Sequence, residues 1–175
     1  TDIGNCIDVR YFSQFNLLGD NVFWNFKAKA LILYEDRKTK EKKQRIIEYE
    51  LGKEPVQILD VNACYSEFGA DGNSQLNAIF PNYQDYGYGI FPIDIQSRDY
   101  IIANIHSEKD DFLRTMMWGA LWDSVREGEL APKDYVELVI KNINTETDES
   151  TIQTLLNRVS TAMNYYLNDK QREEL

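Results

Sequence analysis

I-F-P-N-Y-Q-D-Y-G-Y-G-I-F-P-I-D, from Ile79 to Asp94, is where the chain changes character. Strand-like patterns precede it, and from about Ser97 the pattern is helical to the end. Pro81-Asn82 and Gln84-Asp85 form a polar break of turn-forming residues. Gly87 and Gly89 flank Tyr88, which suits positive φ or a close backbone approach. Tyr88, Ile90, Pro92 and Asp94 then alternate with Gly89, Phe91 and Ile93, which is strand periodicity. Pro92 within that run argues for an edge strand or a bulge. The stretch is therefore a candidate junction between two architectures, strands before it and helices after it.

Upstream, Ile7, Val9, Tyr11 and Phe15 share one parity and Asp8, Arg10 and Gln14 the other, a half-buried strand. After a turn at residues 17–21, residues 22–34 read as a long strand. Trp24, Phe26, Ala28, Ala30 and Ile32 lie on one face of it, and Lys27 and Lys29 on the other. Residues 35–45 carry six of the nineteen basic residues, but Glu35, Asp36 and Glu41 dilute them. A solvated hairpin loop fits this mixture better than an anion-binding patch. Strands at 45–51 and 56–61, joined by Gly52-Lys53-Glu54-Pro55, suggest an antiparallel meander. Residues 62–74 read as a loop and 75–80 as a further strand. So dense a run of short strands predicts a β-sandwich domain over residues 1–96.

Downstream, residues 97–175 predict the truncated start of an α-helical, helical-repeat-like domain. Ser97 is a candidate N-cap. Asp110 and Asp111 suit the positive end of a helix whose apolar positions include Leu113, Met117, Leu121 and Val125. Trp118 and Trp122, four apart, share its buried face, and Gly128 is a candidate C-cap. Pro132 opens the next helix, which carries Tyr135, Leu138, Val139 and Ile143. A fourth helix follows residues 147–150, and the polar tail 168–175 is expected to fray.

Composition excludes several function classes. A net charge of −10 leaves no basic face for nucleic acid. No run of about 18 apolar residues exists to span a membrane, so a soluble chain of undefined compartment is expected. Cys6 and Cys64 are the two cysteines; they lack metal-ligand spacing and read as free core thiols. His106 is the single histidine, and His106-Ser107-Glu108 lacks the second histidine of H-E-x-x-H. Neither G-x-S-x-G nor a phosphate-binding glycine loop is present. Asp110/Asp111 and Glu127/Glu129 are placed as helix-end acids rather than as a catalytic pair. The aromatic complement, 11 Tyr, 8 Phe and 3 Trp, fits core and inter-domain packing.

Taken together, these motifs resemble the aminopeptidase N family of zinc metallopeptidases. Residues 79–94 are similar to that family's "vlpN-x-x-x-x-gY-x-x-v-x-x-D" strand pair, on Asn82, Tyr88 and Asp94. R-T-M-M-W-G-A-L-W-D-S-V-R-E-G-E-L, residues 114–130, is similar to its "R-a-x-x-W-x-a-l-W-d-m-v-r-d-g-e-l" helix, on Arg114, Trp118, Trp122 and Asp123. Residues 134–139 and Glu146-Thr147-Asp148 continue the likeness, which is good from about Leu76 to Glu149. The family's zinc helix, its distant glutamate ligand, its substrate-anchoring strand and its catalytic tyrosine have no counterpart in this sequence. The resemblance thus implies a non-catalytic piece that is inactive alone, with zinc in the parent's catalytic domain and no catalytic or metal residue here. It implies as partners that catalytic domain, further C-terminal helices and the parent's peptide substrate. The piece would space domains and wall the substrate chamber. The alternative is a free-standing β-sandwich and helical interaction module that uses its aromatic surface.

Overall fold

The computed structural model describes residues 10–14, 19, 22–59 and 74–175. It divides into two compact units, Thr1–Gly89 and Ile90–Leu175. The first is built of strands β1 (Arg10–Phe12), β2 (Phe26–Asp36), β3 (Lys42–Leu51), β4 (Val56–Leu59) and β5 (Ser74–Phe80). The second holds helices α1 (Ile95–Asn104), α2 (Asp111–Arg126), α3 (Pro132–Asn142), α4 (Glu149–Thr161) and α5 (Asp169–Glu173). Strands followed by helices is the order expected from the sequence.

In the first unit β3, β2 and β5 make one antiparallel sheet in that order, and β1 pairs with β4 in a second. Alternation along β2 puts Ala28, Ala30 and Ile32 on one face, where they join Tyr49, Leu51, Ile58, Leu76 and Ile79 in a buried core. Phe12 of β1 and Val56 of β4 pack against the same core, so the two sheets enclose it. The Phe12 and Tyr49 rings meet at 5.0 Å. The β2–β3 hairpin keeps register from Phe26↔Leu51 to Glu35↔Lys42. Its tip is closed by the Asp36 carboxylate, which accepts from the backbone N–H of Thr39 and Lys38 at 2.9 and 2.8 Å. Those donors hold the Asp36 carboxyl below the usual range. The basic segment is thus the solvated hairpin its composition suggests.

Three strand expectations are corrected. Trp24 is not on the inward face of β2: it precedes the strand and is 73% exposed. Its backbone N–H and C=O are both taken by the side-chain amide of Gln14, at 2.7 and 2.8 Å, so a sheet ladder does not hold it. The meander breaks between β3 and β4, because β4 crosses to the second sheet. Gly52 stands at that corner, where a Cβ would lie 2.6 Å from Oδ1 of Asn25, and Pro55 cannot donate to a ladder. Finally, residues 81–94 contain no strand, so β5 closes without the expected partner. A short turn, Tyr83–Asp85, replaces it, with Gln84 and Asp85 at φ of 64° and 55°. Cys6 and Cys64, all of the expected turn at 17–21 but Gly19, and the expected loop at 62–74 up to Ser74 lie outside the described residues.

In the second unit, α2, α3 and α4 pack mutually, and their buried faces supply Leu113, Met117, Trp118, Leu121, Tyr135, Val136, Val139 and Leu155. The turn from α2 to α3 is a Schellman motif: Gly128 N–H donates to the Val125 carbonyl at 3.1 Å and Glu129 N–H to that of Ser124 at 2.8 Å. Gly128 adopts φ of 77°, which a residue with a Cβ resists. After α4 the helix widens into one π-turn, Ala162–Tyr166, closed by the Leu167 N–H on the Ala162 carbonyl at 3.0 Å. Two helix-end expectations are corrected here. Asp94 rather than Ser97 caps α1: its carboxylate accepts from Ser97 N–H at 2.8 Å and from the Ser97 hydroxyl at 3.0 Å. Asp and Ser are about equally good N-caps, so Ser97 is a fair candidate; with Asp94 at the cap it is a buried donor one turn inside. The tail does not fray. Asn168 and Gln171 form a reciprocal capping box that starts α5, and Glu174 accepts from Lys133 of α3 at 2.6 Å.

Candidate functional site

The motif residues of the helical unit converge on one buried ionic knot. Arg114 lies on the inward face of α2, and Glu146 lies in the connection from α3 to α4, 32 residues away. The Arg114 Nε donates to both Glu146 oxygens at 2.9 Å. The indole N–H of Trp118, one helical turn along, donates to Glu146 Oε1 at 2.7 Å. The remaining guanidinium nitrogens donate to the Glu108 carbonyl at 2.7 Å and to Asp111 at 2.7 Å. The side chains of Arg114 and Glu146 are 7% and 1% exposed. Burial by itself lowers the Arg114 pKa, but the hydrogen bonds and charges of Glu146 and Asp111 outweigh it and the net direction is up. Every strong donor and acceptor of the knot is thus engaged, as buried charges require.

The other motif residues play separate parts. Trp122 is half-buried and lies against Tyr135 at 5.2 Å and Tyr166 at 5.9 Å. Asp123 faces outward and meets Arg126 at 3.4 Å. Asp94 caps α1. In the strand unit, the Asn82 amide is buried and bridges the loop: it accepts from Gly87 N–H at 2.8 Å and donates to the Gly87 carbonyl at 3.0 Å. Those are the backbone groups a strand would have used, which explains why none forms there. Tyr88, in the same loop, is 103% exposed, so its ring packs on nothing in its own unit. Nearby, Lys29 Nζ sits 4.4 Å over the Tyr86 ring.

Glu146 carries no local mark of a site residue, although it stands within the segment that resembles the family. The available signal was indirect: an arginine on the apolar face of α2 demands a carboxylate from elsewhere. Tyr135 and Tyr166 were equally unmarked. Tyr135 is fully buried, its pKa pushed up to about 12 by burial, with the Arg158 charge acting weakly against that. The Tyr135 hydroxyl makes no hydrogen bond in this structure.

Chemically, these arrangements are braces built of hydrogen bonds and one buried ion pair. Glu146 faces donors only, and the serine and threonine hydroxyls that meet carboxylates, Ser97 on Asp94 and Thr151 on Asp148, do so within helix caps. His106 is exposed in the turn Ile105–Ser107. Among the described residues no three His, Cys, Asp or Glu side chains are grouped to hold a metal ion, so they do not fit zinc. Nor is any helix there long and apolar enough to cross a membrane.

The ERAP1-like C-terminal domain family matches residues 78–175, which begin within β5 and take in the whole helical unit. A relative, "Aminopeptidase N" of Streptomyces lividans, is 29% identical over 104 residues, or 59% of this chain and 12% of that protein. The chain therefore spans a small part of the curated relative it matches. With the buried Arg114–Glu146 brace, the Asp94 cap and this match in hand, the chain belongs to the ERAP1-like C-terminal domain family, the C-terminal region of aminopeptidase N-like proteins.

Proposed function

We propose that this chain is the non-catalytic C-terminal part of a zinc-dependent aminopeptidase, which removes N-terminal residues from peptides. The match over residues 78–175 carries the reading. Its partners are the parent's own catalytic domain and further helices of the same domain. The strand unit acts as a spacer, and the helical unit is one part of the wall that limits which peptides reach the metal. A wall needs rigid elements, and the fully satisfied Arg114–Glu146–Trp118 knot supports that role by fixing the start of α4 against α2. Zinc supplies a polarised water for peptide hydrolysis in such enzymes, and its ligands lie in the parent's catalytic domain.

Two measurements test this. The purified 175-residue chain should cleave no aminoacyl anilide and retain no stoichiometric zinc by elemental analysis. The coding sequence that leads into Thr1 should encode H-E-x-x-H followed by a distant glutamate. Hydrolysis with one zinc per chain would overturn the division of labour, and a start codon directly before Thr1 would overturn the parentage.

A further inference from the structure

Four aromatic rings of the helical unit form a continuous line. Trp118 and Tyr135 have centroids 6.1 Å apart, Tyr135 and Trp122 5.2 Å, and Trp122 and Tyr166 5.9 Å. The line begins at rings that are 1% and 0% exposed and ends at Tyr166, which is 46% exposed. Its last two rings are stacked, with an interplanar angle of 20°. Tyr166 owes that placement to the π-turn that ends the α4 segment.

Indoles and phenols are the aromatic side chains that lose one electron most readily, and an electron vacancy passes between rings at such separations. The two chemistries differ in what happens to the proton. An oxidised indole holds its N–H proton briefly, long enough for a ring in contact to return the electron. An oxidised phenol must release its proton at once. The Tyr135 hydroxyl is buried without a hydrogen-bond partner, so it has no group to take that proton. Tyr135 is therefore no resting place for the vacancy, whereas Tyr166 can hand its proton to water.

We propose that Tyr166 is a site of oxidative modification, to which one-electron oxidation of the helical unit drains through Trp122. A one-electron oxidant, such as the carbonate radical or ruthenium(III) tris-bipyridine, takes an electron from Trp122 and is reduced by one. Tyr166 returns one electron to the Trp122 radical cation, which restores the indole, and gives its phenolic proton to water. The phenoxyl radical left behind couples with a second tyrosyl radical through a ring carbon to form dityrosine. The tryptophans of the core are spared, and the surface tyrosine carries the damage.

The test uses the full chain with photogenerated ruthenium(III) tris-bipyridine, persulfate as terminal electron acceptor, and peptide mapping by mass spectrometry. Tyr166→Phe keeps the stacked ring but cannot be oxidised at the same potential. It should raise oxidation products at Trp122 several-fold, while Tyr165→Phe, which alters the neighbouring 81% exposed ring, should leave them unchanged. Equal Trp122 products in wild type and Tyr166→Phe, or an equal rise in Tyr165→Phe, would overturn the proposal. Should Tyr166→Phe not fold, Trp122→Phe decides the matter: Tyr166 oxidation should fall, and an unchanged yield there sinks the relay.

Discussion

The two units solve the same problem, a polar side chain in a buried place, with different currencies. In the strand unit the Asn82 amide is neutral and its partners are backbone groups five residues away. In the helical unit Arg114 and Glu146 are ionised, distant in sequence and almost fully removed from water. The neutral bridge shapes one loop. The ionic knot ties α2 to the connection before α4, so its loss is felt by several elements. A buried pair of charges adds little net stability when intact but is severe to break, because the surviving charge remains in low dielectric. Breaking a neutral amide bridge leaves only unsatisfied dipoles.

The comparison can be broken by mutation. Glu146→Ala should destabilise the chain most, by about 3–5 kcal/mol in urea unfolding, because Arg114 keeps only Asp111 and a carbonyl. Replacing both partners, Arg114→Met with Glu146→Leu, should recover most of that loss. If the double variant is as unstable as the single one, the charge is not the reason. Asn82→Ala should cost about 1–3 kcal/mol and disturb only the loop, seen as amide shifts near Gly87. A loss equal to that of Glu146→Ala would erase the distinction.

A smaller effect lies in the acid limb. Asp148 caps α4, and the hydroxyl and then the N–H of Thr151 hold its carboxyl below the usual range. A carboxyl with a depressed folded-state pKa contributes stability above its unfolded value of 3.8, and that contribution is lost as pH falls through the folded value. Asp148→Asn should therefore flatten the fall in melting temperature between neutral and strongly acidic pH. An unaltered acid limb would remove Asp148 from the account. The smallest change expected is Tyr135→Phe. The hydroxyl has no partner, so its removal should leave stability within about 0.5 kcal/mol or raise it. A clear loss would mean that Arg158 reaches it in solution.

The helical unit was largely legible in the sequence, because its boundaries are written locally. Pro132 at the start of α3 and Gly128 after α2 stand where their backbone chemistry puts them. Even the overlooked α5 was announced by Asn168 and Gln171, three residues apart. The errors arose where a local pattern had two outlets. Residues 88–94 alternate like a strand, but a ladder needs free backbone groups upstream, and Asn82 had already taken those of Gly87. Residues 56–59 form a strand as expected, but which sheet it joins depends on a corner marked locally by Gly52 and Pro55, neither of which names the partner strand. For the site, Arg114 could be singled out from its motif, yet no local rule names its partner across 32 residues.

The π-turn at Ala162–Tyr166 bears on how such sequences align. A turn of that kind is geometrically an α-helix that has absorbed one extra residue. Removing one residue from 162–166 would restore even winding, but it would swing everything after it by about 100° around the axis. Leu167, now 5% exposed, would leave the core position it shares with Val136 and Ala162. Homologues with a single-residue gap here should therefore carry a compensating change in the position of their own buried leucine, and that gap is the natural place to look for how the family lengthens or shortens a helix without losing its packing.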